Sequence, residues 1–467
     1  MGERNALFHR TGPIWRQVLF LAWPVLAQQA LLFSVNIYDG FLAGQNVPAD
    51  PTQHVPYQAA QTNAHYLAWF ISSYTILVSV GSTALVARFV GAGERTNAVR
   101  ATHQSILLAV ILGSLGSVVG LVFVPDLIRL LGLGGEAATF AVSFLRPLLG
   151  LLVFQVLEAA GVACLIGAGD TRTGPLVSAC VAVLNIPLAW ALFHGLGPIP
   201  ELGFPGIAYG TALSHLVGSV IVLAVLARGR YGLQIRWKEF VPDWRMMYRL
   251  LRISVPAAVD SLSVIAGQFW FLSLVNKIGD ESTRNFNIAA HGHAIRWEAL
   301  GYLSAHAFGT SAMALVGQNL GAKRPADAAK SGWTALTIGG IVVCLMGLVF
   351  FTLAVPMFRL FAPGDHQRPV IDVGVPVLRL VAFAMPALAC TTILTAALRG
   401  AGDTRRPVLF TWVGFLCVRI PLTYWLTGPS MNLGLFGAWL AMFADLWVRG
   451  LCFVVRFASG KWKETRV

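Results

Sequence analysis

Runs of apolar residues, each roughly 20 or more long and joined by short polar connections, fill the chain from end to end. That is the length a helix needs to cross a bilayer, and about twelve such helices are predicted. In the first half they cover roughly residues 15–43, 65–90, 98–124, 138–164, 174–194 and 205–227. In the second half they cover roughly 249–277, 286–319, 327–355, 374–398, 407–427 and 433–457. The first run follows Arg4, Arg10 and Arg16, as in the charged region of a signal peptide, but continues to about Gly44. It is too long for a cleaved signal and is predicted to be the first spanning helix.

The plan of the first half repeats in the second. Leu85-Val-Ala-Arg-Phe-Val-Gly-Ala-Gly-Glu-Arg95 returns as Leu315-Val-Gly-Gln-Asn-Leu-Gly-Ala-Lys-Arg324, and Gly167-Ala-Gly-Asp-Thr-Arg172 returns unchanged as Gly400-Ala-Gly-Asp-Thr-Arg405. Leu21-Ala-Trp-Pro-Val pairs with Ile253-Ser-Val-Pro-Ala, so the register holds from the first span of each half. The expected fold is an all-α membrane protein with two pseudo-symmetric six-helix lobes. Residues 1–228 form the first lobe, 229–248 a cytoplasmic linker, and 249–467 the second lobe with a short basic tail. Two related lobes about a central site suit transport.

Composition agrees with this picture. The chain is 56% hydrophobic and 12% charged, about half the charge of a soluble domain. The net charge of +13 would suit nucleic acid or lipid headgroups, but its placement follows topology. The N-terminus, the even-to-odd connections and the tail carry 24 of the 34 Lys and Arg, seven of them between Arg228 and Arg252, whereas the opposite loops carry five. Both termini are therefore expected in the cytoplasm, with the chain a multi-pass protein of the plasma (inner) membrane. Membrane lipid is the expected surrounding; no nucleic-acid or obligate protein partner is indicated. All six cysteines fall in apolar stretches, so neither a disulfide framework nor a metal site is expected. No Gly-x-x-x-x-Gly-Lys phosphate loop occurs, so an ion gradient, H⁺ or Na⁺, is left as the energy source, and no cofactor is expected.

Ionisable side chains within apolar spans are costly and mark cavities or partners. Arg419 and Asp445 lie at similar depth on adjacent spans, as a buried salt bridge would. The duplication supplies an internal control for others. Asp39 aligns with Phe271, Asn185 with Arg419, and Thr211 with Met442, so three oxygen-bearing side chains of the first half are replaced in the second by an aromatic, a cation and a thioether. A requirement of the shared fold would appear in both halves; a function of the first lobe alone would not. Asp39, Asn185 and Thr211 are hard ligands at comparable depth in the outer half of the lobe, suited to Na⁺, while the carboxylate alone suits a proton. They are the candidate cation-coupling site.

Asp260, four residues after Pro256, either faces the cavity or caps a kink, and Glu158 and Glu298 are secondary candidates for handling protons. Tyr38, Phe41, Trp69, Tyr74 and Trp270 are candidate substrate-cavity aromatics, with Phe33, Phe70 and Phe271 nearby. His291, His293 and His306 look metal-like, but residues two apart on a helix face different ways, and interhelical hydrogen bonds are the expected role. The Gly-Ala-Gly-Asp-Thr-Arg copies fall at cytoplasmic loops, where Gly permits a tight turn and Asp or Thr caps the next helix. Identical in both halves, they read as scaffold.

These features together resemble the multidrug and toxic compound extrusion (MATE) transporters: an Asp near the end of span 1 followed by Gly40-Phe-Leu-Ala-Gly44, the two Gly-Ala-Gly-Asp-Thr-Arg copies, Ile288-Ala-Ala-His-Gly292 with Arg296 and Glu298, Leu315-Val-Gly-Gln-Asn-Leu-Gly-Ala322, and Arg456-Phe-Ala-Ser-Gly-Lys-Trp462. The resemblance implies V-shaped lobes and export of amphipathic, often cationic compounds against inward H⁺ or Na⁺ flow, and no enzyme activity. Asp39, Asn185 and Thr211 match the first-lobe cation site of DinF-like members. Those members usually carry a second Asp one turn after the Asn, where this chain has Ala189, which weakens a Na⁺ site more than a proton site. The span 7 Glu of NorM-like members is expected at Val264. A DinF-like, proton-coupled antiporter is the favoured reading. A lipid or polysaccharide-precursor flippase would need Arg146, Arg379 and Arg419 to line a cationic cavity, and an intramembrane enzyme would need His291, His306 and Glu298 to converge.

Overall fold

The structure, a computed structural model, describes residues 12–45, 67–68, 70–130, 135–236, 240–279, 283–361 and 368–465. Among these residues the chain is helical and holds no β-strand beyond two isolated bridges. The reason is general: with no water to satisfy backbone N–H and C=O groups, a spanning segment must bond them internally. The first half contains α1 (Ile14–Gln45), α2 (Ile76–Gly91), α3 (Arg95–Leu130), α4 (Gly135–Gly150), α5 (Leu152–Gly167), α6 (Thr173–His194) and α7 (Phe204–Arg228). The second contains α8 (Trp244–Val275), α9 (Arg284–Gly321), α10 (Pro325–Thr352), α11 (Ala354–Phe361), α12 (Arg368–Gly400), α13 (Arg405–Trp412), α14 (Ile420–Thr427) and α15 (Gly434–Ala458).

Eleven of the described helical segments are long and apolar enough to cross a membrane, and a bent pair makes a twelfth span. The bend, 50° between Ala138–Gly150 and Leu152–Gly167, follows Pro147, whose ring removes a helix donor. Leu151 there leaves helical geometry, with φ −107° and ψ 13°. In the eleventh span α13 and α14 are joined by a π-helical stretch, Val413–Arg419, which the apolar pattern did not predict.

The described chain divides into two compact units. One holds Pro24–Ala258; the other holds the chain from Val259 together with residues up to Trp23. The division runs through α1 at Pro24 and through α8 two residues beyond Pro256, the prolines that the duplication aligns. Within the first unit, the opening half of α8 lies against α2. Gly81 N donates to Ser254 Oγ at 2.8 Å, and Gly81 meets the Leu250 carbonyl so closely that a Cβ has no room. The basic connection before α8 is tied to the start of α3: Arg100 pairs with Asp243 at 2.9 Å, Gln104 bonds both Val241 O and Asp243 N, and His103 Nε2 accepts from Arg236 N.

The repeated Gly-Ala-Gly-Asp-Thr-Arg sequence makes the same three contacts in each half. Its first glycine presses on the backbone of the second or eighth span: a Cβ on Gly167 would meet Thr83 O, and one on Gly400 would meet Met313 O, the aligned residue. Its second glycine turns the chain at positive φ, +93° at Gly169 and +86° at Gly402, while the following Asp N–H bonds back five residues to Leu165 O or Leu398 O. That is the bond that closes a helix end on a left-handed residue. The Asp then holds an arginine that follows or ends its own half's last span, Asp170 to Arg230 at 2.6 Å and Asp403 to Arg456 at 2.6 Å. Asp170 also accepts from Arg172 N and Thr173 N, capping α6. The expected scaffold role thus has a mechanism: each copy fastens the end of its span 4 or 10 to neighbouring spans.

Because Asp170 is fully buried and serves as both cap and ion-pair partner, Asp170→Ala is expected to cost about 2 kcal/mol, the sum of a lost cap and a charged hydrogen bond. Arg230 is 43% exposed, so the ion-pair share is discounted accordingly. Thermal unfolding of detergent-solubilised protein checks this, with Asp170→Ala expected to lower the midpoint more than Arg230→Ala.

Candidate cation site and the buried ion pairs

In the first unit α6 brings Asn185 to α7. Asn185 Nδ2 donates to Thr211 Oγ1 at 2.9 Å, and Thr211 donates in turn to the Ile207 carbonyl of its own helix. The amide oxygen Oδ1 of Asn185 is left buried with no hydrogen-bond partner, although the residue is only 1% exposed. Asp39 on α1 presents a second such atom: its Oδ1 is buried and unpartnered. Two contacts set the register of α1 against α6. Gln28 Nε2 donates to Ser178 Oγ at 2.8 Å, and ten residues further on Tyr38 packs on the cluster of Ala189, Phe193, Phe204 and Ile207. The two helices therefore run in the same direction, and Asp39 lies level with Ala189, about 6 Å outward of Asn185 along the axis at 1.5 Å per residue. Ile207, one turn before Thr211, belongs to the cluster that Tyr38 touches. Unpartnered buried acceptor oxygens are costly, and acceptor oxygens are what a proton or a hard cation requires.

The aligned positions of the second unit are filled differently. Phe271, the counterpart of Asp39, is fully buried and packs edge-on against Trp439 at 6.3 Å. His291 lies 5.5 Å from both rings, and Trp270 continues the cluster to Tyr424. His291 is thus an aromatic-cluster member; among the described residues no group of three or more His, Cys, Asp or Glu is placed to hold a metal. Arg419, the counterpart of Asn185, pairs with Asp445 at 2.7 Å as its depth suggested. Arg449 joins the same carboxylate by two bonds of 2.8 Å, and the Phe415 ring lies under both guanidinium groups, at 4.3 and 5.2 Å. Gly414, in the π-helical stretch, makes room for this, since a Cβ would meet Asp445 and Arg449. Arg449 was not foreseen as a partner, although its spacing of four from Asp445 signals one.

The secondary candidates separate. Asp260 does not stand free in a cavity: Arg399 donates to its Oδ2 at 2.7 Å and Thr411 to its Oδ1 at 2.5 Å, because a carboxylate buried among spans takes the nearest cation. Glu298 lies within electrostatic reach of Arg419. Glu158 is hydrogen-bonded to His215 on α7, Oε2 to Nδ1, at 2.8 Å. His215 has no neighbouring histidine or carboxylate in sequence to signal it; only the approach of α5 supplies its partner. Of the aromatics, Tyr74 bonds the Leu112 carbonyl and packs on Gly116 of α3, while the side chains of Phe41 and Trp69 lie outside the described residues. Arg146 and Arg379 are exposed, whereas Arg419, one of the three arginines that a flippase reading would place on a cavity wall, is buried in its ion pair with Asp445.

The decisive comparison is with a family model that matches the chain twice, over residues 24–191 and 256–425, beginning each time at the aligned proline. The chain belongs to the MatE family. Among its relatives are the "Probable multidrug resistance protein NorM" of Thermotoga maritima, 28% identical and covering 97% of this chain and 94% of that one, and the "Multidrug resistance protein MdtK" of Pectobacterium atrosepticum, 25% identical over 94% of each. A solved outward-facing multidrug resistance MATE transporter superposes with a TM-score of 0.85 at 22% identity, over 96% of this chain and 97% of that one. A Pyrococcus furiosus transporter with a binding pocket of reversed polarity matches equally well in fold, over the same shares. MatE homologues are transporters, not enzymes, and this chain is a multi-pass membrane protein of that family.

The two classes of buried carboxylate are expected to respond oppositely to neutralisation. Asp445→Ala leaves two buried guanidinium groups unmatched and is expected to destabilise the fold by about 3–5 kcal/mol. Asp39→Asn removes the charge of a buried carboxylate whose Oδ1 has no hydrogen-bond partner, so no matched ion is orphaned and the unfolding midpoint is expected to stay within a few degrees of wild type. Unfolding curves of the two purified variants in detergent make the comparison.

Proposed function

We propose that the protein exports amphipathic, cationic compounds in exchange for inward H⁺ by alternating access, with Asp39 as the coupling carboxylate and Asn185 and Thr211 as its polar companions. The supporting observation is the pair of buried, unpartnered acceptor oxygens on Asp39 and Asn185 in the first unit, against a sealed aromatic cluster at the aligned positions of the second. Protonation of Asp39 from outside removes the negative charge that holds a cationic compound; loss of that proton to the inside restores it. Such a cycle does work only if the affinity for the ion differs between the two states, and the membrane potential adds about 2.3 kcal/mol per charge per 100 mV. Ala189, buried at the level of Asp39, supplies a methyl where a second carboxylate would favour Na⁺, and this supports the proton as the coupling ion. The excess of Lys and Arg on one set of loops supports a plasma-membrane protein with both termini in the cytoplasm.

Reconstituted liposomes carrying a pH gradient or a Na⁺ gradient separately test the proposal. Efflux of a flat monovalent cation such as ethidium is expected to follow the pH gradient and to fall at least tenfold in Asp39→Asn. Wild-type rates in that variant, or a response to neither gradient, overturn it.

A further inference from the structure

We propose that Glu158 and His215 form a second protonation site of the N-terminal unit, linked through α7 to the Asn185–Thr211 pair. It rests on the proton-coupled reading above and extends it to a histidine that no other line of argument assigns. His215 follows Thr211 by four residues, so the two side chains lie on one face of α7 about 6 Å apart. Thr211 holds Asn185 on one side, and His215 holds Glu158 of α5 on the other, Nδ1 to Oε2 at 2.8 Å. One turn further along α7, Gly218 leaves the carboxylate its space: a Cβ there would stand 2.5 Å from Oε2.

Three features separate this pair from the other buried pairs. First, the partners of Asp170, Asp260, Asp403 and Asp445 are arginines, which keep their proton at any physiological pH. The partner of Glu158 is a histidine, the side chain whose ordinary titration falls in that range. Second, the Glu158 side chain is 11% exposed and that of His215 20%, and the carboxylate is more open than Asp170, Asp260, Asp403 or Asp445, so a proton has access. Third, the pair is confined to one half. By the register of the repeats Glu158 aligns with Thr391, which bonds its own helix, and His215 aligns with Leu446, a buried apolar residue. This is the same one-sided pattern that marks Asp39, Asn185 and Thr211.

The proton balance is simple. With both ring nitrogens protonated, imidazolium and carboxylate give a net charge of zero; loss of the Nε2 proton leaves a neutral ring donating Nδ1–H to the carboxylate, net −1. The site therefore changes charge by one unit a single turn from Thr211. The other titratable groups on the elements packed around it are the following. On α2, Arg88 lies within electrostatic reach of Arg249; on α3, His103 accepts from Arg236 N and Arg100 pairs with Asp243, while Arg95 and the Asp126–Arg129 pair stand near its ends. Arg146 of α4 is exposed, His194 of α6 lies tilted against Trp190 and edge-on to Phe193, Cys164 of α5 is buried, α7 itself carries Tyr209 and Arg228 near its two ends, and α1 carries Arg16 near its start and Asp39 near its end.

The test uses the full chain in lipid nanodiscs, labelled with ¹³C at histidine Cε1, and the same variants in liposomes with ethidium as the transported probe. The His215 signal, identified by its loss in His215→Gln, is expected to respond to pH within the ordinary histidine range of about pH 5 to 8. Its midpoint is expected to move by one pH unit or more in Glu158→Gln. In His215→Asn, whose amide replaces the Nδ1–H donor without titrating, the pH profile of ethidium efflux is expected to move by a comparable amount, with the half-saturating ethidium concentration within twofold of wild type. A His215 signal that does not titrate, or an unmoved profile in His215→Asn, overturns the proposal and leaves only a hydrogen bond between helices. Asp39→Asn reads the other question separately: wild-type transport in that variant sinks Asp39 as the coupling group, while the His215 titration still reports on the pair itself.

Discussion

A carboxylate among apolar helices must have its charge matched, and that requirement sorts the interior of this protein. Moving an ion out of water costs several kcal/mol even after relaxation, and only a close, well-bonded partner offsets it. Asp170, Asp260, Asp403 and Asp445 each meet an arginine within 2.7 Å, and those pairs fasten helices together: α5 end to the chain after α7, α8 to α12, α12 end to α15, the π-helical stretch before α14 to α15. Once these matches are made, the carboxylates that remain available for chemistry are few. Asp39 keeps an unpartnered oxygen, and Glu158 has a partner that can itself lose a proton.

The duplication turns that sorting into an argument about function. Where the halves agree, the contacts agree atom for atom: Gly167 and Gly400 press on aligned carbonyls, Gly169 and Gly402 share a positive φ, and Asp170 and Asp403 each hold an arginine. Where they differ, the difference is physical as well as textual. The second half spends the position of Asp39 on Phe271 and closes it with Trp439 and His291, and it spends the position of Asn185 on a guanidinium locked between Asp445 and Phe415. One unit is packed shut where the other keeps acceptor oxygens.

Much of this was legible in the sequence, because the features concerned are carried by length and repetition. Twelve apolar runs, the aligned prolines and the Arg419–Asp445 pair needed no coordinates. What stayed hidden depends on which way a side chain turns. Asp260 lies one turn after a proline, where the sequence favours a cavity-facing carboxylate over a kink cap, and the approach of Arg399 and Thr411 makes it an ion pair instead. Tyr74 reads as a cavity aromatic until its hydroxyl is seen on the Leu112 carbonyl. The π-helical stretch leaves no mark in the apolar pattern, since one extra residue per turn changes no residue type. His215 stands alone in its span, without the His-x-His spacing that draws attention to His291 and His293, and only its contact with Glu158 gives it a role.

The spacing of polar residues on α7 gives the first unit a direction. Asp39 stands outermost, level with Ala189; Asn185 and Thr211 lie about one turn inward; His215 with Glu158 follows a further turn along, and then Gly218, whose missing side chain admits the carboxylate. An arginine at the place of His215 would hold Glu158 more firmly and fix the charge there for good. A leucine, as the other half has, would remove it. Histidine alone among the three leaves the charge of that turn dependent on proton supply, and it does so on the helix that also carries the threonine bound to Asn185. A change of charge there falls one turn from Thr211 and so beside the Asn185–Thr211 hydrogen bond, on a helix whose counterpart in the other half carries a leucine at the aligned position.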